Sequence, residues 1–345
     1  MEETMPSQTG RQIDRPASAQ AVWWPLCAFK ILPALILLAI IFLAIAIPFI
    51  ARYHLAFGAA AGIYSCFIAL LVLVLTPGID NLRTRMQPSS ALLIALWCVP
   101  YLLYAAGTRD FRWTSLVRLI VISAPLLIIY RLRPVRDPLR FSFQDLLVAV
   151  WLIAVVLGRQ LKNIWNVPVN LDFMGRLFLV AIASWTWVFV RRVPNLGYRF
   201  SFSPNTFRAA AANFGIFAVI AIPGGLALHF TRWNPHWHSL TGFCIDLLEL
   251  FLFVALLEEL FFRGFLQSLL SANLHSKWKA QAIVASLFGL FHILHAPFPN
   301  WRYVLLATVA GWFYGAAFTS SGNLMAPCLT HAMVDTVWRT FFSKS

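Results

Sequence analysis

Residues 251–270 read FLFVALLEELFFRGFLQSLL, an apolar run long enough to cross a bilayer that nonetheless carries Glu258, Glu259 and Arg263. An ionisable side chain at bilayer depth costs about 2.5–3.5 kcal/mol even on the lenient insertion scale, so such groups mark a functional interior. Glu259 and Arg263 stand at i,i+4 and neutralise one another, which lowers that cost. Glu258 points about 100° away from Glu259 and has no cation at helical spacing. It is left as a carboxylate beside Phe261, Phe262 and Phe265, a setting that suits a general acid or base. Taken alone, the hexamer Glu258–Arg263 reads equally well as a structural ion pair.

The rest of the chain has the same character. Of 345 residues, 60% are hydrophobic and 12% charged, against roughly 25% charged in a soluble domain. A single soluble globular enzyme is excluded. Apolar runs between charged or Pro/Gly-rich breaks predict helices near 31–50, 55–76, 91–107, 114–130, 143–157, 173–190 and 208–229, then 241–271, 279–295, 302–320 and 326–342. The expected fold class is all-α, a polytopic transmembrane helical bundle of about ten to eleven spans. A polar tail (1–22) without an apolar core for a signal peptide precedes a transmembrane helical domain (23–207) and a C-terminal domain (208–345).

The formal charge is +14. The basic residues sit in short connectors such as Arg131, Arg133, Arg136 and Arg140, or Arg191, Arg192 and Arg199, where they hold loops on the cytoplasmic side. The partner they imply is the lipid bilayer, and no nucleic acid partner is expected. The five cysteines have no C-x-x-C spacing, so neither a disulfide framework nor a zinc ribbon is indicated.

Acidic residues divide the chain. Up to Asp172 they lie in the tail, in loops or at helix edges, whereas Asp246, Glu249, Glu258, Glu259 and Asp335 all fall inside apolar segments. Glu249 is nine residues, about 180°, from Glu258 and is expected to face other partners. The next helix carries Phe288 and His292. Glu258 and His292 are each 17 residues from His275, the centre of the intervening loop, and equal offsets in an antiparallel hairpin mean equal depth. Gly289 would permit close helix approach. His295, beside Pro297, is read as interfacial, and His236 and His238 as exposed. In the last helix His331 and Asp335 share a face at i,i+4. A charged His331 there can donate to a developing oxyanion while Asp335 fixes its tautomer; the pair can also simply join two helices. His331 lies only about a turn into its helix, so it reaches Glu258 only if that helix is tilted or starts deep. Glu258, His292 and His331 are expected to line one polar cavity.

These residues, in this order, resemble the CAAX-protease and bacteriocin-processing (Abi) family of intramembrane endopeptidases, whose motifs read E-E-x-x-x-R, F-x-x-x-H and H-x-x-x-N/D. The resemblance covers about 240–343. It implies that Glu258 with His292 activates a water, that His331 with Asp335 stabilises the oxyanion, and that Glu259 and Arg263 support the site. Where prenyl-processing relatives have Asn, this chain has Asp335; an ionised Asp cannot donate, so it orients His331 or is itself protonated. There is no H-E-x-x-H or G-x-S-x-G motif. No cofactor is favoured; were the site metal-dependent, zinc would be held by Glu258, His292 and His331. The implied partner is a membrane protein or peptide substrate, and the implied location an integral membrane position, the plasma (inner) membrane if the source is bacterial. The rival readings are a proton-coupled transporter using buried Glu, His and Asp, and an inactive scaffold that retains the fold.

Overall fold

The computed structural model describes residues 24–79, 82–167 and 169–344, without the side chains of 24–32 and 34; the polar tail 1–22 lies outside the described residues. The described residues fall into two units that divide between Leu55 and Ala56. The first contains helix α1 (Trp24–Arg52). The second contains α2 (Phe57–Leu75), the short α3 (Leu82–Arg85), α4 (Ser90–Thr108), α5 (Trp113–Leu132), α6 (Phe143–Leu157), α7 (Asp172–Trp185, prolonged by a π-helical turn Thr186–Val190) and α8 (Pro204–Ala227). It continues through α9 (Leu240–Leu274), α10 (Lys277–Phe291), α11 (Trp301–Ser321) and α12 (Met325–Phe341).

Each apolar run expected from the sequence is helical, and the starts are chemically marked. Ser89, Ser142, Ser203, Ser239 and Ser276 each accept a hydrogen bond from the backbone N–H three residues on, and Asn300 does the same for Tyr303. Such caps occupy N–H groups that lipid cannot satisfy. Eight helices among the described residues, rather than ten or eleven, are long and apolar enough to cross a membrane. The shortfall is one of length: α6 and α10 have 15 residues and α12 has 17, about 22–26 Å at 1.5 Å per residue against a hydrocarbon core of about 30 Å. These spans, with their apolar surfaces, make the chain an integral membrane protein.

The all-α expectation is modified by one antiparallel ribbon, β1 (Thr231–Trp233) with β2 (Phe342–Lys344), in the register Arg232↔Ser343. It is continued by Asn234 N–H to Phe341 O (2.9 Å) and His236 N–H to Thr340 O (2.7 Å), so the connector after α8 is tied to the end of α12. His236 and His238 are exposed, as expected.

Helix α7 lies at the centre. It is apolar all round, and 83% of its membrane-length window is buried, against 28–44% for the other spans of this unit. Trp187, in its π-helical end, stacks on Phe265 of α9 (centroids 4.3 Å apart, planes 7° apart). Helices α2 and α4 touch backbone to backbone at Gly62 and Gly107, where a Cβ on either would collide with the other.

Two expectations about charged residues need correction. Arg191 does not mark a solvated loop: its side chain is 1% exposed and pairs with Asp145, which is 0% exposed. Desolvation is offset by hydrogen bonds from Tyr130, Ser142 and Arg191 to Asp145 and from Arg191 to backbone carbonyls. Glu249 does face a partner other than that of Glu258, as expected, but not from the opposite side of α9, since both face α12. Arg339 of α12 bonds Asp246 (3.2 Å) and Glu249 (3.4 Å). The reason is that the π-helical stretch Phe251–Ala255 lies between Glu249 and Glu258, and its i→i+5 pattern breaks the 3.6-residue count; a second stretch, Leu260–Gln267, follows Glu258.

Candidate active site

Between the two π stretches, α9 keeps a single α-helical turn, Leu256–Glu259, and this turn presents both glutamates. Glu259 is 0% exposed and bonds Arg263 Nη1 through Oε1 (3.0 Å), the i,i+4 pair expected from the sequence. The same Oε1 accepts from His331 Nδ1 at 2.8 Å, a link that no spacing rule discloses. Arg263 donates from Nη2 to Gly311 O (2.9 Å) and its guanidinium lies over the rings of Phe288 (4.6 Å) and Tyr314 (5.2 Å), a cation–π arrangement that suits a buried cation. Glu259 Oε2 and Arg263 Nε have no hydrogen-bond partner among the described residues.

His331 is held on three sides. Tyr314 stacks beneath it (4.5 Å, 17°), and Phe288 meets it edge-on (5.8 Å, 85°). A carboxylate only accepts, so Glu259 fixes Nδ1 as a donor. Nε2 then faces Asp335 Oδ2 at 3.5 Å and Glu258 Oε2 at 3.9 Å. Glu258 and Asp335 are each 35% exposed, so a closed layer of Glu259, Arg263 and His331 backs an open layer of two carboxylates. The sequence made Asp335 the residue that orients His331; in the structure Glu259 makes the shorter bond.

His331 reaches Glu258 from an α12 whose start is tied to the connector before α8. Leu324 N–H bonds Gly197 O (2.9 Å), and the Asn323 side-chain amide bonds Ser201 O (2.6 Å). Gly322, at φ +63°, makes the turn out of α11. Asn323 and Leu324 are buried, so protein covers this non-helical backbone.

On the α10 side, the α-helix stops at Phe291 and continues as one 3₁₀ turn, His292–Leu294, earlier than the expected end at 295. The His292 N–H turns to Gly289 O, and the carbonyl of Phe288 instead meets the His292 ring at Nδ1 (2.8 Å). A carbonyl cannot donate, so Nδ1 carries the proton and Nε2 of the neutral ring is an acceptor. Tyr303 packs against His292 (4.6 Å) and His295 (5.0 Å), and the two imidazoles stack at 5.4 Å. Gly289 gives the close approach to α11 rather than to α9: a Cβ there would run into Thr308 and Val304.

Glu258 and His292 line one cavity of about 270 Å³, whose other walls are almost wholly apolar. His331 is not among its lining residues. The expectation of one polar cavity is therefore corrected to an apolar one with a polar end, because His331 is occupied by Glu259 behind the surface. Tyr303 and Tyr314 were missed from the sequence, since α11 carries no motif and a tyrosine among apolar residues looks like packing. Among the described residues, no three His, Cys, Asp or Glu side chains are grouped as a metal ion requires, so Glu258, His292 and His331 do not form a ligand set as placed.

Neither the curated proteins nor the solved structures compared with this chain gave a match. Residues 240–337, which contain all three motifs, match the family model described as Type II CAAX prenyl endopeptidase Rce1-like, the same family of peptide hydrolases that the motifs resemble.

Proposed function

We propose that this protein is an intramembrane endopeptidase that hydrolyses peptide bonds of membrane-associated proteins or peptides with a water activated at Glu258 and His292. The observation that carries the reading is the meeting of three separate helices at one place: Glu258 of α9 shares a cavity with His292 after α10, and lies 3.9 Å from His331 Nε2 of α12. Glu258 takes a proton from the water as its oxygen attacks the carbonyl carbon, and returns that proton to the departing amine nitrogen. His292 Nε2, an acceptor, holds the water in line. His331, charged and donating from Nδ1 to Glu259, directs its Nε2–H at the oxyanion, and Asp335 keeps that ring charged and aligned. The proposed pathway is metal-free, with Glu258 itself taking and returning the proton. In a bacterial source the membrane would be the inner one.

The test is cleavage by purified protein in liposomes against a library of membrane-protein tails, with fragments identified by mass spectrometry. Cleavage by the parent and its loss in Glu258→Gln support the reading. Equal cleavage by both, from material free of other proteases, removes it.

A further inference from the structure

The cavity beside Glu258 is walled from two sides. Leu257, Leu260 and Phe261 belong to α9, but Leu152 and Val156 come from α6, and Leu179, Ala183 and Trp187 from α7 and its π turn. Those five residues lie outside 240–337, the segment with the family resemblance. The helices preceding that segment thus finish a space that its own residues leave open.

The walls are graded. Leu179, Ala183 and Trp187 are 3% exposed or less, whereas Val156 and Leu157 are 51% and 55% exposed, so the cavity is closed toward α7 and open along α6. Its polar groups are gathered at one end, in Glu258, His292 and His295. Cavities of about 150 Å³ already accommodate benzene; 270 Å³ accommodates one large side chain with an adjoining peptide unit.

We infer that this cavity is the specificity pocket of the site, that it takes a large aliphatic or aromatic side chain of the peptide substrate, and that α6 and α7 set its size. The inference rests on the proposed peptidase reading and deepens it. The choice of a peptide side chain over a lipid tail follows from the polar end. An alkyl chain filling the space would strip water from the Glu258 carboxylate and return no hydrogen bond, which is costly. A peptide residue brings a carbonyl and an amide N–H next to its side chain and delivers them where Glu258 and His292 stand. Ala183 is the small residue of the deep wall, so enlarging it shortens the pocket.

The full chain in phosphatidylcholine/phosphatidylglycerol liposomes is photolysed with two probes. One is a hydrophobic peptide carrying a single diazirine-leucine scanned along its length; the other is phosphatidylcholine with a diazirine in its tail. The expected result is peptide labelling of Leu152, Leu179 or Ala183, in the parent and in Glu258→Gln alike, suppressed by excess unlabelled Leu peptide and not by its Ala counterpart. Ala183→Leu, and Val156→Phe on the exposed rim should the first not fold, should each reduce the preference for Leu over Ala next to the cut by about tenfold or more. Labelling of the same residues by the lipid probe, undisplaced by peptide, overturns the inference in favour of a lipid seat. Peptide labels confined to other surfaces overturn it too. Pocket labelling without any cleavage removes the peptidase and leaves the pocket standing; cleavage without apolar preference or pocket labelling removes the pocket alone.

Discussion

Asp145 and Arg191 form a buried ion pair in which every oxygen and nitrogen is used. Asp145 Oδ1 takes Arg191 Nε (2.7 Å) and Tyr130 OH (2.8 Å), and Oδ2 takes Arg191 Nη2 (3.0 Å) with the N–H and Oγ of Ser142 (2.8 Å each). The remaining Arg191 donors reach Pro138 O and Arg140 O. Glu259 and Arg263 are equally buried and differently built, since Oε1 of Glu259 is shared between a guanidinium and an imidazole while its Oε2 and Arg263 Nε have no partner among the described residues. The first pair locks α6 to the end of α7. The second is left incompletely bonded and holds His331 through Oε1, with the other ring nitrogen turned toward Glu258 and Asp335. A saturated pair is an anchor, and an unsaturated one touching a titratable ring holds a site ready for a ligand.

The largest expected effect breaks the anchor. Arg191→Met leaves Asp145 buried without its cation and should cost about 3–5 kcal/mol, read as a fall in the unfolding midpoint in detergent. Arg263→Ala should cost less, because His331 still donates to the same oxygen of Glu259. If the order is reversed, the contrast between anchor and site is wrong.

Next is Glu258→Gln, which keeps shape and removes the base. Cleavage should fall by about 10²-fold or more, while the unfolding midpoint stays where it was. A loss of midpoint in step with activity would move Glu258 to the structural side of the comparison.

A third measurement asks whether Glu259 acts through His331. In a cycle of Glu259→Gln, His331→Ala and the double variant, the effects on cleavage should be non-additive by about 0.5–3 kcal/mol. Additive effects would separate the two residues. Smaller still is Arg339→Gln: its partners Asp246 and Glu249 are 32% and 50% exposed, so the loss of stability should stay below about 1 kcal/mol and shrink in high salt. Last, EDTA or phenanthroline should leave cleavage unchanged; loss that is restored by added zinc would sink the metal-free pathway.

Much of this was legible from local pattern. The helix starts follow from Ser or Asn before apolar runs, and the Glu259–Arg263 bond from i,i+4 geometry. The matched offsets of Glu258 and His292 from His275 brought both to one cavity, since a tight turn preserves depth on either side. The π stretches were not legible, because FLFVA and LFFRGFLQ carry the same apolar character as the α-helical residues around them, and the consequence of the first was a wrong angle for Glu249.

The sequence by itself determined that this is a helical membrane protein and which side chains are too costly to bury without a purpose, because apolar length and ionisable residues are one-dimensional properties of the chain. Tertiary structure decided who satisfies whom. Asp145 meets Arg191 across 46 residues and Glu259 meets His331 across 72. The cavity at Glu258 takes part of its wall from α6 and α7, whose residues show no motif. Such pairings depend on how helices cross and rotate, and the apolar surfaces that drive the packing are too alike in sequence to say which faces which.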